Sequence, residues 1–96
     1  TISFGDYLYS FSTHQLKKGN TNIYLTEGEG KLLNYLANNK NDIVLREELA
    51  DSKLNDNEFR NIDVQVTRLR QKVEKNPKQP IYIKTIRGKG YKLITN

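Results

Sequence analysis

The chain has 96 residues, which is enough for one domain with a single modest hydrophobic core. It has no cysteine and only one histidine, His14. A disulfide framework and a thiolate metal site are therefore excluded, and little material remains for a histidine-based metal or catalytic site. The apolar runs are too short for a membrane span or a signal peptide, and the first residue, Thr1, suggests a piece of a longer protein.

The formal net charge of +5 is distributed unevenly along the chain. Residues 1–57 hold six Lys and Arg against eight Asp and Glu, or −2, whereas residues 58–96 hold ten against three, or +7. A basic half of this kind indicates a polyanionic partner, although a solvated basic surface is the simpler alternative.

The N-terminal segment is predicted to form a small antiparallel sheet, within about residues 1–25. Residues 2–11, ISFGDYLYSF, place aromatic residues at alternate positions, as a half-buried strand does. Two shorter strands are predicted near residues 15–17 and 22–25, on either side of the turn-prone residues 18–20.

A first helix is predicted to begin after Thr26. Thr26 and Glu29 have the spacing of a capping box, in which each side chain bonds the backbone N–H of the other residue. Leu32, Leu33 and Leu36 then supply the apolar face of this helix.

A second, short helix is predicted over residues 46–52, with Leu49 and Ala50 facing inward. The polar stretch 53–58, KLNDNE, is predicted to be a loop.

The third helix has the clearest pattern and is predicted over residues 61–75. Ile62, Val66, Leu69 and Val73 follow one another at steps of four, three and four, so they form a narrow stripe that faces the core. Prolines shortly after this stretch end the helix.

Residues 81–86 and 91–94 are predicted to form a two-stranded hairpin across RGKG (87–90). Gly88 and Gly90 could instead belong to a loop that holds the phosphates of a nucleotide, but such a loop opens a helix, and here a strand follows. The order of elements predicts an α+β fold, a winged helix-turn-helix with an N-terminal antiparallel β-sheet, three helices (26–75) and a C-terminal β-hairpin wing (81–95).

The face of the third helix opposite its apolar stripe carries the kinds of group that a base-reading surface needs. Arg60, Asn61, Val64, Thr67, Arg68, Gln71 and Lys75 lie roughly 140–260° around the helix from Ile62. Arginine can bond guanine, glutamine can pair with adenine, and an exposed valine can touch a thymine methyl. A charged, solvated helix face is the alternative interpretation. Asp63 lies to one side, where we expect a structural partner rather than DNA.

Two motifs resemble the DNA-binding effector domain of OmpR/PhoB-type response regulators. RNIDVQVTRLRQK (60–72) is similar to the recognition helix of that family, and IYIKTIRGKGYKL (81–93) is similar to its wing. LTEGEGKLL (25–33) and LREELAD (45–51) resemble the first and second helices, so the resemblance covers nearly the whole chain. Thr67 replaces a frequent arginine of the family, and Gly30 replaces a large aromatic residue.

The resemblance implies sequence-specific binding of double-stranded DNA and control of transcription. It implies that residues 1–96 are one effector domain, with a receiver domain upstream that a sensor kinase phosphorylates. It also implies direct-repeat DNA sites, a head-to-tail dimer on DNA, contact of residues 52–58 with RNA polymerase, no cofactor, and a cytoplasmic location at the bacterial nucleoid.

The resemblance also assigns roles to individual residues. The third helix is the recognition helix of the family. Here Arg60 is expected to contact a phosphate, and Arg70 a phosphate or a base. Val64, Arg68 and Thr67 are expected to lie in the major groove. In the wing, Thr85 is expected on the DNA backbone and Arg87 in the minor groove. The full set of predicted DNA-binding residues is Arg60, Val64, Gln65, Thr67, Arg68, Arg70, Gln71 and Lys72 in the helix, and Thr85, Arg87 and Lys89 in the wing.

Other function classes have less support. The sequence has no nucleophile elbow and no HExxH motif, so an enzyme is not predicted. A winged-helix module that binds RNA or protein is the main rival, because fold does not fix function. The basic residues of the third helix and wing argue against a purely protein-binding wing, and the narrow major groove of RNA would exclude the helix.

Overall fold

The computed structural model describes residues 1–49 and 56–95, with the side chains of residues 56–60 excepted. Seven strands and three helices follow one another along this part of the chain. The strands are β1 (Ile2–Phe4), β2 (Tyr7–Ser10), β3 (Gln15–Lys18), β4 (Thr21–Ile23), β5 (Val44–Leu45), β6 (Ile83–Ile86) and β7 (Gly90–Leu93). The helices are α1 (Glu27–Asn38), α2 (Arg46–Leu49) and α3 (Asp56–Val73).

The N-terminal sheet is antiparallel, with its four strands in sequence order. The prediction of one strand over residues 2–11 was wrong, because Gly5 turns the chain and splits that segment into β1 and β2. Gly5 has a φ of +58°, and a Cβ atom at this position would lie 1.9 Å from the Tyr82 hydroxyl oxygen. The alternation of aromatic residues is therefore real only within β2, where Tyr9 is fully buried.

Helix α1 begins as its sequence predicts. The Thr26 hydroxyl accepts a bond from the Glu29 N–H at 3.2 Å, and the Glu29 carboxylate accepts one from the Thr26 N–H at 3.0 Å. Leu32, Leu33 and Leu36 are buried on the inner face. The capping box and the apolar stripe are both confirmed.

The boundaries of the other two helices differ from their predictions. Helix α2 covers Arg46–Leu49, and the rest of its predicted span, with Ala50, lies outside the described residues. Helix α3 begins at Asp56, five residues earlier than predicted, and ends at Val73, two residues earlier than predicted, so residues 56–58 are helical and not part of a loop. A polar first turn has no apolar periodicity by which to recognise it, which explains the error.

The C-terminal sheet has three strands rather than two. Strand β7 lies in the middle, with β6 on one side and the short strand β5 on the other. Gly90 permits this contact, because a Cβ atom there would lie 2.0 Å from the Val44 carbonyl oxygen. Gly88 has a φ of +76°, as predicted for a turn, but Gly90 is required for close approach and not for positive φ.

The hydrophobic core lies between the two sheets and the helices. The predicted stripe of α3 is buried over its whole length, from Ile62 to Val73. It packs against α1 and belongs to one buried cluster with residues of both sheets. The other buried apolar residues are Ile2, Phe4, Tyr9, Leu16, Leu32, Leu33, Leu36, Ala37, Val44, Ile83, Tyr91 and Leu93. None of the helices in the described part of the chain is long and apolar enough to cross a bilayer.

Candidate nucleic-acid interface

The surface of α3 opposite the core is polar and exposed. We call it the outer face of α3; its residues are Asn61, Val64, Thr67, Arg68 and Gln71 of the helix, together with Lys75, two residues beyond the helix end at Val73. Among the described residues, Arg68, Gln71 and Lys75 have no hydrogen-bond or ion-pair partner, so their polar groups are available to a ligand. Val64 is an apolar side chain on this surface and is 44% exposed.

One flank of α3 is fastened to the C-terminal sheet by Asp63. Its carboxylate accepts a bond from the Tyr91 hydroxyl at 2.6 Å and forms an ion pair with Arg46 at 2.7 Å. Burial of the phenol and its bond to Asp63 raise the pKa of Tyr91 to about 12. The expectation of a structural partner for Asp63 is confirmed, and Tyr91 joins the wing to the helix.

Arg70 lies on the same flank and contacts strand β6. Its Nε and Nη2 atoms donate to the Ile83 carbonyl oxygen at 3.0 and 2.8 Å, and Nη2 also donates to the Thr85 hydroxyl at 2.7 Å. The guanidinium carbon lies 5.6 Å from the centre of the Tyr91 ring, within the range of a cation–π contact. Arg70 therefore bridges α3 and the wing.

Glu74 completes this flank and was not found by sequence reasoning. Its buried carboxylate accepts bonds from the backbone N–H groups of Ile81, Tyr82 and Ile83, at 2.7, 2.9 and 2.8 Å. Glu74 lies at about 120° from Ile62 around the helix, close to Asp63 and Arg70. This shared flank is the signal that could have identified it. We call Asp63, Arg70 and Glu74 the wing-side flank.

The opposite flank of α3 faces α1. The Lys72 ammonium donates to the Glu29 carboxylate, with which it forms an ion pair, and to the Tyr24 carbonyl oxygen at 2.7 Å. It also lies 5.4 Å from the centre of the Tyr24 ring. Gln65 packs beside Gly28, where a Cβ atom would lie 2.8 Å from the Gln65 amide nitrogen. This flank holds the helix to the body of the protein.

The wing carries its cationic groups to an exposed tip. Arg87 and Lys89 are exposed on either side of Gly88, and the Lys89 N–H bonds the Ile86 carbonyl oxygen at 3.0 Å to close the turn. The Arg46 N–H bonds the Lys89 carbonyl oxygen at 3.1 Å, which fixes the tip against the start of α2. An open cleft of about 310 Å³ lies between the wing and the helices.

The order of these elements, the polar outer face of α3 and the basic wing can be compared with known proteins. The family described as "Transcriptional regulatory protein, C terminal" matches residues 20–93 of the chain. The chain belongs to this family. The predicted resemblance to OmpR/PhoB-type effector domains is confirmed.

The solved structures agree with the family assignment. The DNA-binding domain of Klebsiella pneumoniae RstA, solved in complex with the RstA box, matches with a TM-score of 0.84 and 33% identity, over 98% of this chain and 96% of that one. The response regulator DrrB of Thermotoga maritima, an OmpR/PhoB homolog, matches with a TM-score of 0.83 and 30% identity, over 96% of this chain and 43% of that one. The predicted winged helix-turn-helix fold is confirmed.

Two curated relatives are longer than this member of the family. PetR of Rhodobacter capsulatus is 33% identical over 100 residues, which cover 96% of this chain and 42% of PetR. The alkaline phosphatase synthesis transcriptional regulatory protein PhoP of Bacillus subtilis is 45% identical over 74 residues, which cover 74% of this chain and 31% of PhoP. The chain thus spans less than half the length of these relatives.

The structure sorts the predicted site residues of this family member into groups. Val64, Thr67, Arg68 and Gln71 share the outer face of α3, and Arg87 and Lys89 share the tip of the wing. Arg70, Lys72 and Thr85 have partners inside the protein, and Gln65 lies beside α1. The side chain of Arg60 lies outside the described residues. The DNA contacts assigned to all these residues stay predictions.

Proposed function

We propose that this chain binds double-stranded DNA as the effector domain of a response regulator and thereby controls transcription. Helix α3 enters the major groove with its outer face, and the wing enters the adjacent minor groove. The observation that carries the proposal is the set of unpaired polar groups on the outer face of α3, beside a basic wing that Asp63, Arg70 and Glu74 join to the helix. The RstA domain, similar over nearly its whole length, binds the RstA box.

The side chains of the outer face suit the chemistry of base recognition. Arg68 can donate two bonds to a guanine, and Gln71 can donate to and accept from an adenine. Lys75 is a compact charge on a flexible stem and suits a phosphate. Arg87 at the wing tip suits a narrow minor groove, whose negative potential attracts arginine.

Residues with partners inside the protein act differently in this proposal. Arg70 and Lys72, predicted from sequence to touch DNA, instead hold α3 against the wing and against α1. Thr85 offers its backbone N–H to a phosphate, because its hydroxyl already accepts from Arg70. Arg60 and Gln65 remain candidates for phosphate and edge contacts.

The rest of the regulator is also proposed from the family. A receiver domain precedes this chain, as the lengths of PetR and PhoP suggest, and a sensor kinase controls it. The effector domains bind direct repeats head to tail in the bacterial cytoplasm, and residues 52–58 contact RNA polymerase.

Arg68 provides the test of this function. A duplex is first selected from random DNA by its affinity for the chain. Replacement of Arg68 by alanine is expected to weaken binding to the selected duplex by about 1–3 kcal/mol and to change binding to random duplexes much less. Binding is measured by fluorescence anisotropy at fixed salt concentration.

Lys17→Ala is the matched control, because Lys17 is an exposed cation on strand β3 of the N-terminal sheet and not on α3 or the wing. The control is expected to bind the selected duplex as the unchanged chain does. If Arg68→Ala bound the selected duplex and random duplexes each with the same affinity as the parent chain does, the assignment of α3 as the recognition helix would be wrong.

A further inference from the structure

Thr67 has a different role from the one its position suggests. It stands in the middle of the outer face of α3, where a hydroxyl group could donate to guanine or thymine oxygens. Its hydroxyl proton is already used, because Oγ1 donates to the Asp63 carbonyl oxygen one turn earlier, at 2.9 Å. The methyl group and the acceptor lone pairs of Oγ1 are therefore the parts of this exposed side chain that remain for a ligand.

Val64 stands beside Thr67 and presents only methyl groups. Residues three apart on a helix surface have Cβ atoms about 5–6 Å apart, so the two side chains form one continuous apolar strip. The polar groups of Arg68 and Gln71 border the strip on the same face. In the major groove, the apolar feature that a base offers at its edge is the C5-methyl group of thymine.

We propose that Val64 and Thr67 together form a methyl-recognition strip that selects DNA with thymines at neighbouring positions of the half-site. This inference rests on the proposed binding of α3 in the major groove. Stacked bases on one strand are about 3.4 Å apart. Two side chains whose Cβ atoms are about 5–6 Å apart therefore reach two neighbouring base pairs. 5-Methylcytosine carries a methyl group at the same C5 position and therefore offers the strip the same apolar contact.

Two substitutions at Thr67 separate the methyl from the hydroxyl. Thr67→Val keeps a methyl group in place and removes the hydroxyl, whereas Thr67→Ser keeps the hydroxyl and removes the methyl. The two changes have similar helix propensity, so the helix itself is little affected by either. Thr67→Val is expected to bind the selected duplex as tightly as the parent chain, and Thr67→Ser to bind it roughly three- to five-fold more weakly.

The matching change in DNA is the replacement of thymine by uracil, which lacks only the C5-methyl group. Each uracil at a position under the strip is expected to weaken binding by the parent chain roughly three- to five-fold. The same uracil is expected to have no effect on Thr67→Ser when it lies under Thr67, because the methyl contact is already lost. The unmodified duplex, which has thymine at the same position, is the reference for each measurement.

The outcomes separate this inference from the function on which it rests. The methyl strip is overturned if neither uracil nor Thr67→Ser weakens binding of the selected duplex. It is also overturned if Thr67→Val binds more weakly than Thr67→Ser. Either result leaves the proposed DNA binding intact. Failure to select any duplex above random DNA overturns the proposed function itself. Thermal unfolding of both variants checks that each remains folded during the binding measurements.

Discussion

Glu29 is a carboxylate that is only 1% exposed, and its partners explain why it remains charged. Burial alone would raise the pKa of this group, but the bonds from Lys72 and Thr26 outweigh burial and hold the pKa below the ordinary value of 4.5. The same side chain thus closes the capping box of α1 and binds a lysine of α3. One residue connects the start of one helix to the flank of another.

Glu29→Gln is predicted to destabilise the fold and to reduce its sensitivity to acid. Glutamine can still serve in a capping box, so the loss of about 1–3 kcal/mol comes mainly from the charged bond to Lys72. A folded-state pKa below the unfolded value adds stability that is present above pH 4.5 and is lost as the pH falls through the folded-state pKa. Urea unfolding between pH 7 and pH 3, measured for both proteins, tests this.

Glu27→Gln is the matched control. Glu27 lies in the same first turn and pairs with Lys31, but both side chains are well exposed, so this ion pair contributes little. The control is expected to retain the acid sensitivity of the parent chain. If Glu29→Gln lost stability with falling pH as steeply as the parent does, Glu29 would not be the source of that dependence.

The glycines of the wing illustrate what a residue type alone predicts. A turn was predicted around Gly88 and Gly90 because glycine permits positive φ, and Gly88 does adopt it. Gly90 is needed for a different reason, the approach of the Val44 carbonyl oxygen from strand β5. That strand has two residues and leaves no periodicity in the sequence, so its contact with Gly90 could not be foreseen.

At the scale of elements, the sequence predicted which faces of α3 are buried and exposed, but not the residues that its flanks contact. Apolar periodicity identified its buried stripe and, by exclusion, its outer face. The flanks were harder, because Arg70 and Tyr91 find their partners 13 and 28 residues away along the chain. Helical spacing gives the direction of a side chain around the axis. It gives no information on which distant segment packs there.

Arg70→Lys is predicted to weaken DNA binding through the wing. Lysine cannot make the forked contact with Ile83 and Thr85, so the wing is held less firmly. We expect a coupling energy of about 0.5–3 kcal/mol between positions 70 and 87 in a double-mutant cycle with Arg87→Ala. Binding to duplexes with AT-rich and GC-rich flanks, measured for all four proteins, gives this energy.

The alternative is the DNA contact that the sequence assigns to Arg70. In that case Arg70→Lys would weaken binding by the same amount with Arg87 present or absent, and the positioning role would be wrong. Arg68 supplies the comparison, because it lies on the outer face and has no contact with the wing. Arg68→Ala is expected to show no coupling to Arg87→Ala beyond the usual error of additivity.

For the molecule as a whole, the basic C-terminal part of the chain includes both the outer face of α3 and the tip of the wing. These two surfaces carry four exposed cations, Arg68, Lys75, Arg87 and Lys89. Lys72 and Arg70 belong to the same count but are held inside the structure. A net charge read from sequence therefore overstates the number of cations available to a polyanion.

Lys75→Ala is predicted to weaken binding to all duplexes alike and to reduce the salt dependence of affinity. Each phosphate contact that is lost lowers the slope of log affinity against log salt concentration by about 0.9. The measurement is a titration of the selected and random duplexes at several salt concentrations. Lys17→Ala, a change of the same charge on strand β3 of the N-terminal sheet, is expected to leave the slope unchanged.

The contacts of Glu74 and Arg70 with Ile83 have a consequence for self-association. Strand β6 is an edge strand, and a strand of this kind exposes backbone groups that can pair with another chain. Here the N–H of Ile83 is bound by Glu74 and its carbonyl oxygen by Arg70, so both groups are occupied. At high protein concentration, a strand of a second molecule therefore cannot pair with the backbone groups of Ile83. The wing-side flank thus shortens the stretch of free edge that β6 offers to a second chain.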